Sequence, residues 1–344
     1  MTPAIDVHCH LFPEPFFTFA RSYGPQLGVE FYRRPDGREY IRAPGDFDYP
    51  LSEDLWSVER LLQAMDRRGI SLAVLSVAPP TLGYWAEAGL AAELATAAND
   101  FLAAVVRSHP DRFVALATVP LQAIDRAVAE LERRMGQPEF RGAMIGTNVG
   151  GRNLDDPFFE PFWEAAESLD ACLFVHPYQV LGRERLQRYY LWNLIGMVTE
   201  TCVAIESLIF GGVYDRHPRL KTYFAHGGGS FPWLRGRAEH GFSAITTTTF
   251  AAQHPPSAYL GRLFVDHLVY LPHGLTWLAG DLGSDHIMVG SDYPFDIGPA
   301  DPLALVHTAP GLSAADRENI LWRTAVRLLE LTLPISGAAD KRRG

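Results

Sequence analysis

Short, uninterrupted runs of apolar residues recur along most of the 344-residue chain, and they constrain its fold more than any other feature. Each run is bounded by polar or turn-forming residues. Continuous apolarity predicts strands that are covered on both faces, as parallel strands are when helices flank the sheet. The predicted strands are 4–8, 72–77, 113–119, 142–145, 172–176, 220–226, 263–266 and 286–291.

Segments with helical periodicity separate these runs. They include 57–68, 90–109, 124–135, 157–168 and a last helix at 313–331. Alternating strands and helices without a long low-complexity linker predict a single α/β domain. About eight strand–helix units favour a closed (β/α)8 barrel, or TIM barrel, although an open doubly wound sheet would give the same local pattern.

We place this domain at residues 1–335, followed by a polar tail at 336–344. The largest insertion, 11–55, is rich in proline, glycine, aromatic and charged residues, and 29–41 resembles a hairpin. Since the insertion follows the first strand, it would lie over the carboxyl ends of the barrel strands, where active sites are built. The sequence therefore predicts a lid over the barrel mouth.

Charge and cysteine content narrow the class of protein. The chain has 30 Lys and Arg against 40 Asp and Glu, a net charge of −10, which disfavours nonspecific nucleic-acid binding. The three cysteines contain no Cys-x-x-Cys pair, so neither a disulfide framework nor a sulfur-rich zinc site is indicated. The N-terminus lacks the pattern of a signal peptide, and no uninterrupted apolar window approaches a membrane span. We expect a cytoplasmic protein without nucleic-acid or membrane partners.

Two histidines, His8 and His10, end the first predicted strand. The period of two places both rings on one side of the strand, about 6–7 Å apart along the chain, a separation that one metal ion can bridge. The chain has 12 histidines, so a His-x-His pair alone is weak evidence.

Three more polar residues stand where predicted strands stop: His176, His226 and Asp292. In a barrel these strand ends meet at one mouth, so all five side chains would converge although they span the chain. Imidazole and carboxylate ligands suit zinc, with manganese, iron or cobalt as other occupants. The alternative is that the histidines only cap strands through backbone hydrogen bonds.

Several motifs together resemble the amidohydrolase superfamily, in its branch of metal-dependent decarboxylases typified by 2-amino-3-carboxymuconate-6-semialdehyde decarboxylase. The resemblance covers nearly the whole chain. Its motifs are His-Cys-His at 8–10, Asn-Asp-Phe at 99–101, Pro-Asp-Arg-Phe at 110–113, Val-Pro-Leu-Gln at 119–122, Phe-Val-His-Pro at 174–177, Ala-His-Gly-Gly-Gly-Ser-Phe at 225–231 and Val-Gly-Ser-Asp-Tyr-Pro-Phe at 289–295.

The resemblance implies a (β/α)8 barrel, a homodimer and one divalent metal held by His8, His10, His176 and Asp292. It also implies that metal-bound water, with His226 as the acid/base and Asp292 assisting, supports the non-oxidative decarboxylation of a small conjugated or aromatic carboxylic acid. The main alternative is a metal-dependent hydrolase acting on an amide, lactone or related carbonyl compound, since the same ligands serve both reactions.

Substrate contacts are implied at three positions. Arg237 matches a family arginine that reaches the neighbouring subunit's site and binds a substrate carboxylate, whereas its spacing alone suggests an exposed helix arginine. Phe295 and Tyr189 would supply aromatic walls for a flat substrate, with core packing as the plain alternative.

One position departs from the family pattern. Where the aminocarboxymuconate enzymes place a second carboxylate-binding arginine, this chain has Tyr49. Either Arg42 or Arg38 takes over that role, or the substrate carries fewer carboxylates, or a phenol or amine instead. We favour a substrate with fewer carboxylates, or with a phenol or amine.

Overall fold

The computed structural model describes residues 2–44 and 47–332, so the predicted tail at 336–344 lies outside the described residues. In chain order the strands are β1 (Ile5–Leu11), β2 (Glu30–Arg33), β3 (Glu39–Ala43), β4 (Phe47–Pro50), β5 (Leu72–Val77), β6 (Phe113–Thr118), β7 (Phe140–Gly146), β8 (Asn148–Val149), β9 (Arg152–Asn153), β10 (Cys172–His176), β11 (Lys221–Phe224), β12 (Leu263–Asp266) and β13 (Ile287–Met288).

The α-helices lie mainly between these strands, as the alternating pattern predicts. They are α1 (Glu14–Leu27), α2 (Val58–Arg68), α3 (Ala88–Ser108), α4 (Ile124–Met135), α5 (Glu160–Ser168), α6 (Val198–Phe210), α7 (Val213–Arg216), α8 (Phe231–Ala244), α9 (Pro272–Leu282), α10 (Pro302–Thr308), α11 (Ala314–Glu318) and α12 (Thr324–Leu329). Short π-helical turns at Trp192–Met197 and Asn319–Arg323 lead into α6 and α12.

Eight parallel strands form one sheet in the order β1, β5, β6, β7, β10, β11, β12, β13. The first and last strands approach through two isolated bridges, and the Val7 N–H donates to the Val289 carbonyl at 2.8 Å. The sheet is thus a nearly closed barrel with helices between its strands, and the predicted (β/α)8 fold is confirmed. The open doubly wound sheet is excluded by this closure.

The strands are buried because their sequences are apolar on both faces. Every residue of β1, β5, β6 and β10 is buried. Helix α4 carries one apolar face and ends in basic residues, which suits an outer helix packed on the sheet. The apolar runs therefore form the wall of the barrel, and the helices cover it.

Two helical stretches, Ala88–Ser108 and Trp192–Phe210, are long and apolar enough to cross a membrane. Length and composition alone do not separate such a stretch from a core helix. Helix α3 packs against β6, and α6 packs against β10 and α8, so each belongs to the outer layer of the barrel.

The stretch between β1 and α2 forms its own small unit. Helix α1 is followed by an antiparallel sheet in the order β2-β3-β4, which contains the hairpin predicted at 29–41. Its apolar side chains form a cluster separate from the barrel core, and Phe295 of the barrel packs against that cluster. The domain limits 1–335 and the role of 11–55 as a lid stay predictions.

Candidate metal centre

The strand ends bring the five polar residues singled out in the sequence into one cluster. His8 Nε2 lies 3.0 Å from His10 Nε2 and 3.2 Å from Asp292 Oδ1. The His176 ring centroid is 4.9 Å from that of His10 and 5.5 Å from that of His226. His226 Nε2 is 3.6 Å from Asp292 Oδ2. Residues from both ends of the chain therefore meet at one point.

The distances alone do not show which of these residues are metal ligands and which one is the acid/base. Potential ligand atoms of His8, His176, His226 and Asp292 all lie within 4.8 Å of one another. His10 joins through its contact with His8 and through its Nε2, 3.5 Å from Asp292 Oδ1. The assignment of His8, His10, His176 and Asp292 as ligands stays a prediction.

Hydrogen bonds on the far side of three imidazoles set their tautomers. The Nδ1 of His10 lies 3.1 Å from the Val77 carbonyl oxygen, and that of His176 lies 3.0 Å from the Pro177 carbonyl oxygen. A carbonyl only accepts, so Nδ1 carries the proton in each ring and Nε2 presents a lone pair. The Nδ1 of His8 faces a carboxylate and is fixed in the same way.

The buried polar atoms of the cluster that have no hydrogen-bond partner in the described part of the chain are suited to binding a cation. His176 Nε2 and Asp292 Oδ1 are buried and have no hydrogen-bond donor among the described residues. The facing Nε2 lone pairs of His8 and His10 repel each other unless positive charge lies between them. Imidazole nitrogens with one carboxylate are donors that zinc, manganese, iron and cobalt all accept. The residues present therefore fit one divalent metal.

The electrostatics of the cluster also favour positive charge at its centre. Burial opposes ionisation of His8, but the carboxylates of Asp292 and Asp266 outweigh it and raise the pKa of His8 to about 10. Burial opposes ionisation of Asp292 too, but the charge of His8 and the nearby imidazoles of His10 and His226 hold the pKa of Asp292 well below its usual range. Burial and the neighbouring imidazoles keep the pKa of His176 well below its usual range.

Asp266, at the end of β12, is a site residue that the sequence interpretation missed. Its fully buried carboxylate lies 2.6 Å from His8 Nδ1 and accepts the backbone N–H groups of His226 at 2.8 Å and Gly227 at 2.9 Å. The bond from His8 lowers the pKa of Asp266 to about 2 against the cost of burial. Asp266 thus orients one candidate ligand and fixes the backbone at His226. Because Asp266 ends the predicted strand 263–266, its position could have identified it as a site residue.

Asp6 was missed as well. Its carboxylate accepts the Ser291 hydroxyl at 2.5 Å and the backbone N–H groups of Ser291 and His8 at 3.0 and 3.1 Å. The backbone N–H of Asp292 donates to the His8 carbonyl at 2.8 Å. These bonds hold the segment before Asp292 against the strand that carries His8.

The Gly227-Gly228-Gly229 run beside His226 has a packing explanation. A Cβ on Gly229, whose φ is +63°, would lie 2.3 Å from the Val198 carbonyl oxygen. The run therefore permits a close approach between the His226 turn and α6 without requiring a bound ligand.

A cavity of about 430 Å³ opens onto His176, His226 and Asp292. Much of its wall is aromatic or apolar. The aromatic lining residues are Tyr40, Phe47, Tyr49, Tyr178, Tyr190, Trp192 and Phe295. A cavity of this size and lining suits a small flat molecule.

The three predicted substrate contacts lie in different places. Phe295 lines the cavity, and its ring centroid is 5.7 Å from that of His10. Tyr189 is 73% exposed and is not among the residues that line this cavity, where its neighbour Tyr190 stands instead. Arg237 is exposed on α8 and does not line the cavity of its own chain. The substrate-binding roles of all three stay predictions.

Known proteins are similar to this chain over most of its length. A family model described as amidohydrolase matches residues 5–331. A 2-amino-3-carboxymuconate-6-semialdehyde decarboxylase from Dictyostelium discoideum is 37% identical over 95% of this chain and 91% of its own length. A gamma-resorcylate decarboxylase from Rhizobium sp. is 30% identical over 84% of this chain and 92% of its own length.

Solved structures share the fold. A 2,6-dihydroxybenzoate decarboxylase complexed with 2,6-dihydroxybenzoate superposes with a TM-score of 0.77 at 25% identity, covering 96% of this chain and 100% of that one. A dihydroxybenzoic acid decarboxylase from Polaromonas sp. with bound manganese has a TM-score of 0.77 at 24% identity, covering 96% of this chain and 97% of that one.

The contacts of Asp266 predict that Asp266→Asn weakens metal binding by about 10- to 100-fold, because the amide no longer offers two acceptor oxygens to His8 and the His226 turn. Chelator competition on the folded variant measures this loss. The control is Asp281→Asn, which removes a carboxylate paired with Arg235 on the outer helices. Unchanged metal affinity in Asp266→Asn would refute the orienting role.

Proposed function

The chain belongs to the amidohydrolase family, and from that membership we propose that it catalyses the metal-dependent, non-oxidative decarboxylation of a small aromatic or conjugated carboxylic acid. It is a carboxy-lyase, as are the curated relatives that match nearly its whole length. The observation that carries the proposal is the convergence of His8, His10, His176, His226 and Asp292 below a cavity with aromatic walls.

One divalent metal is the cofactor, and we assign His8, His10, His176 and Asp292 as its ligands. Zinc is our first choice because of the donor set, with manganese, iron and cobalt as other candidates; a related decarboxylase was crystallised with manganese. When bound, such a metal supplies Lewis-acid charge that orients the substrate's oxygen atoms and withdraws electron density.

The reaction needs one proton and no redox partner. The bond between the carboxylate carbon and its neighbour breaks, carbon dioxide leaves, and the electron pair remains on the neighbouring carbon. That carbon then bears the added proton, so a carboxylate and a proton become a C–H bond and carbon dioxide. A conjugated or aromatic substrate is required because it delocalises the charge that develops at this carbon.

We assign the proton to His226, with Asp292 assisting. His226 lines the cavity, its Nδ1 has no hydrogen-bond partner in the described part of the chain, and its Nε2 faces Asp292 Oδ2 at 3.6 Å. Asp266 fixes the backbone of His226 beside the cavity that His226 lines. An imidazole in this position can accept a proton and later deliver it to carbon.

The cavity supports a dry reaction site. Phe295 covers the side next to His10, and the insertion at 11–55 contributes Phe47 and Tyr49 opposite the barrel strands. We propose that this insertion acts as the lid, because its strand β4 lies over the same cavity that opens onto the metal centre. Excluding water strengthens the electrostatic interactions inside the site.

The hydrolase alternative is not favoured. The same ligands would serve it, but the curated relatives that share this chain's length are decarboxylases. Release of carbon dioxide distinguishes the two reactions, because a hydrolase consumes water and yields two products or an opened ring.

We further propose a cytoplasmic homodimer. The three free cysteines are buried, which suits a reducing compartment. A patch of exposed apolar residues surrounds α8, where Trp233 is 60% exposed and its ring stacks on Trp277 at 3.9 Å. Leu194 and Leu271, 53% and 67% exposed, line the same neighbouring cleft. Arg237 follows Trp233 by one helical turn, so a partner that covers the patch would meet Arg237.

Metal analysis tests the ligand assignment. We expect close to one divalent metal per chain in the wild type and its loss in His8→Ala and in Asp292→Ala, because each variant lacks one of the four assigned ligands. A chelator should abolish carbon dioxide release, and added zinc or manganese should restore it. Two metals per chain, or full activity without any metal, would contradict the assignment.

His226→Ala tests the proton assignment. We expect kcat to fall by about 10²- to 10⁴-fold while metal content stays at the wild-type level. His307→Ala, an exposed histidine on α10, is the matched control and should leave kcat unchanged. Loss of metal in His226→Ala would instead make His226 a ligand.

Mixing two inactive variants tests the shared site. If Arg237 completes the partner's site, Arg237→Ala and His226→Ala subunits allowed to exchange should recover about a quarter of wild-type activity, since half of the dimers are mixed and each has one intact site. Light scattering should give twice the 38.2 kDa chain mass. A monomer with full activity, or no recovery on mixing, would contradict the proposal.

A further inference from the structure

Tyr49 connects the insertion to the loop that follows Asp292. The Asp296 backbone N–H donates to the Tyr49 hydroxyl at 3.0 Å. The Tyr49 ring meets the Phe295 ring edge to face, with centroids 5.6 Å apart at 88°. Phe295 in turn lies against the His10 ring. A continuous series of contacts therefore leads from strand β4 to the candidate metal centre.

The same contacts form one wall of the cavity. The Phe47 ring packs nearly parallel to Tyr49, at 5.8 Å and 18°, and Phe47, Tyr49 and Phe295 all line the cavity that opens onto Asp292. Aromatic side chains offer flat or edge contacts to another ring, with a preference for offset or edge-to-face geometry. This wall suits an aromatic ring that carries the reacting group toward the metal centre.

The charges near this wall do not favour a second substrate carboxylate. Asp48 and Asp296 line the cavity beside Tyr49. The Arg34 guanidinium also lines it, but it lies 2.8 Å from Asp48 and 4.0 Å from the centre of the Tyr40 ring, so its charge is already engaged. Burial and the Asp296 carboxylate raise the pKa of Tyr49, which keeps its hydroxyl neutral.

Two arginines were candidates for binding a second carboxylate. Arg42 does not line the cavity and pairs with Glu30 at 3.1 Å and Asp48 at 3.4 Å. Arg38 does line it, is exposed, and has no carboxylate within ion-pair distance in the described part of the chain. A solvated guanidinium next to the turn of the hairpin is a weaker anion site than one held on a rigid wall. Arg38 is therefore the residue to test as an alternative binding site for a second substrate carboxylate.

We propose that Tyr49, acting with Phe295, selects a substrate whose single carboxylate is attached to an aromatic ring and disfavours a second carboxylate on the same molecule. This inference rests on the proposed function and adds both a residue and a substrate class to it. Tyr49 touches the substrate ring on one side and holds the Phe295 loop on the other.

The test compares two aromatic acids in one enzyme preparation. The probes are 2,6-dihydroxybenzoate, with one carboxylate, and 5-carboxyvanillate, with two, and carbon dioxide release gives kcat and KM for each. We expect kcat/KM for the monocarboxylate to be at least about tenfold higher in the wild type. The ratio is unaffected by any unfolded fraction, because both substrates meet the same folded molecules.

Three variants show whether Tyr49 sets that ratio. Tyr49→Arg should lower the ratio at least about tenfold by offering a cation to the second carboxylate. Tyr49→Phe keeps the ring and should keep the ratio, while loss of the bond to Asp296 raises KM for both acids. Tyr23→Phe is the control, since Tyr23 is exposed on α1 of the same insertion and does not line the cavity.

Two other outcomes would contradict the proposed role of Tyr49 and leave the proposed decarboxylase function unaffected. Preference for 5-carboxyvanillate, lost in Arg38→Ala but kept in Arg42→Ala, would assign the second carboxylate to Arg38. An unchanged ratio in Tyr49→Arg would remove Tyr49 from substrate selection. Failure of the folded, metal-loaded protein to release carbon dioxide from these acids and from muconate-type acids would instead overturn the proposed function.

Discussion

The contact between the first and last barrel strands determines whether the site exists. His8 and Asp292 are separated by most of the chain, yet His8 Nε2 and Asp292 Oδ1 lie 3.2 Å apart. Asp6 produces this proximity by accepting the Ser291 hydroxyl and backbone, while the His8 carbonyl accepts the Asp292 N–H. These bonds exist only in the closed barrel, so closure and assembly of the candidate ligands are one event.

A second carboxylate decides what the assembled site can hold. Asp266 lies behind His8, on the side away from the cavity, and Asp292 lies in front of it. Two buried carboxylates on either side of one imidazole are costly unless positive charge offsets them, which is the physical reason that the pKa of His8 is raised to about 10. A divalent cation held in this cluster would supply this charge, and Asp266 would then orient the neutral His8 ring.

The sequence predicted the barrel because continuous apolarity reports burial on both faces, and it predicted the cluster because His176, His226 and Asp292 each stand at a strand end. It did not predict Asp266 or Asp6. Asp266 also ends a predicted strand, but its role, like that of Asp6, depends on which residues of the neighbouring strands it contacts. The aromatic wall was anticipated only in part. Phe295 lines the cavity, whereas Tyr189 does not and its neighbour Tyr190 does. Tyr189 and Tyr190 lie outside any strand or helix, so no periodicity indicated which ring would face the cavity.

The groups that orient the candidate ligands and the residue that we propose selects the substrate belong to different parts of the molecule. The groups that orient the candidate ligands, Asp266 and the carbonyls of Val77 and Pro177, all belong to the barrel or to its first loop residues. Tyr49 belongs to the insertion and reaches the centre only through Phe295 and Asp296. Residues of the insertion can therefore change without moving the bonds that set the tautomers of His8, His10 and His176. A change of side chain at position 49 would therefore alter the cavity wall and leave the orientation of the candidate ligands intact.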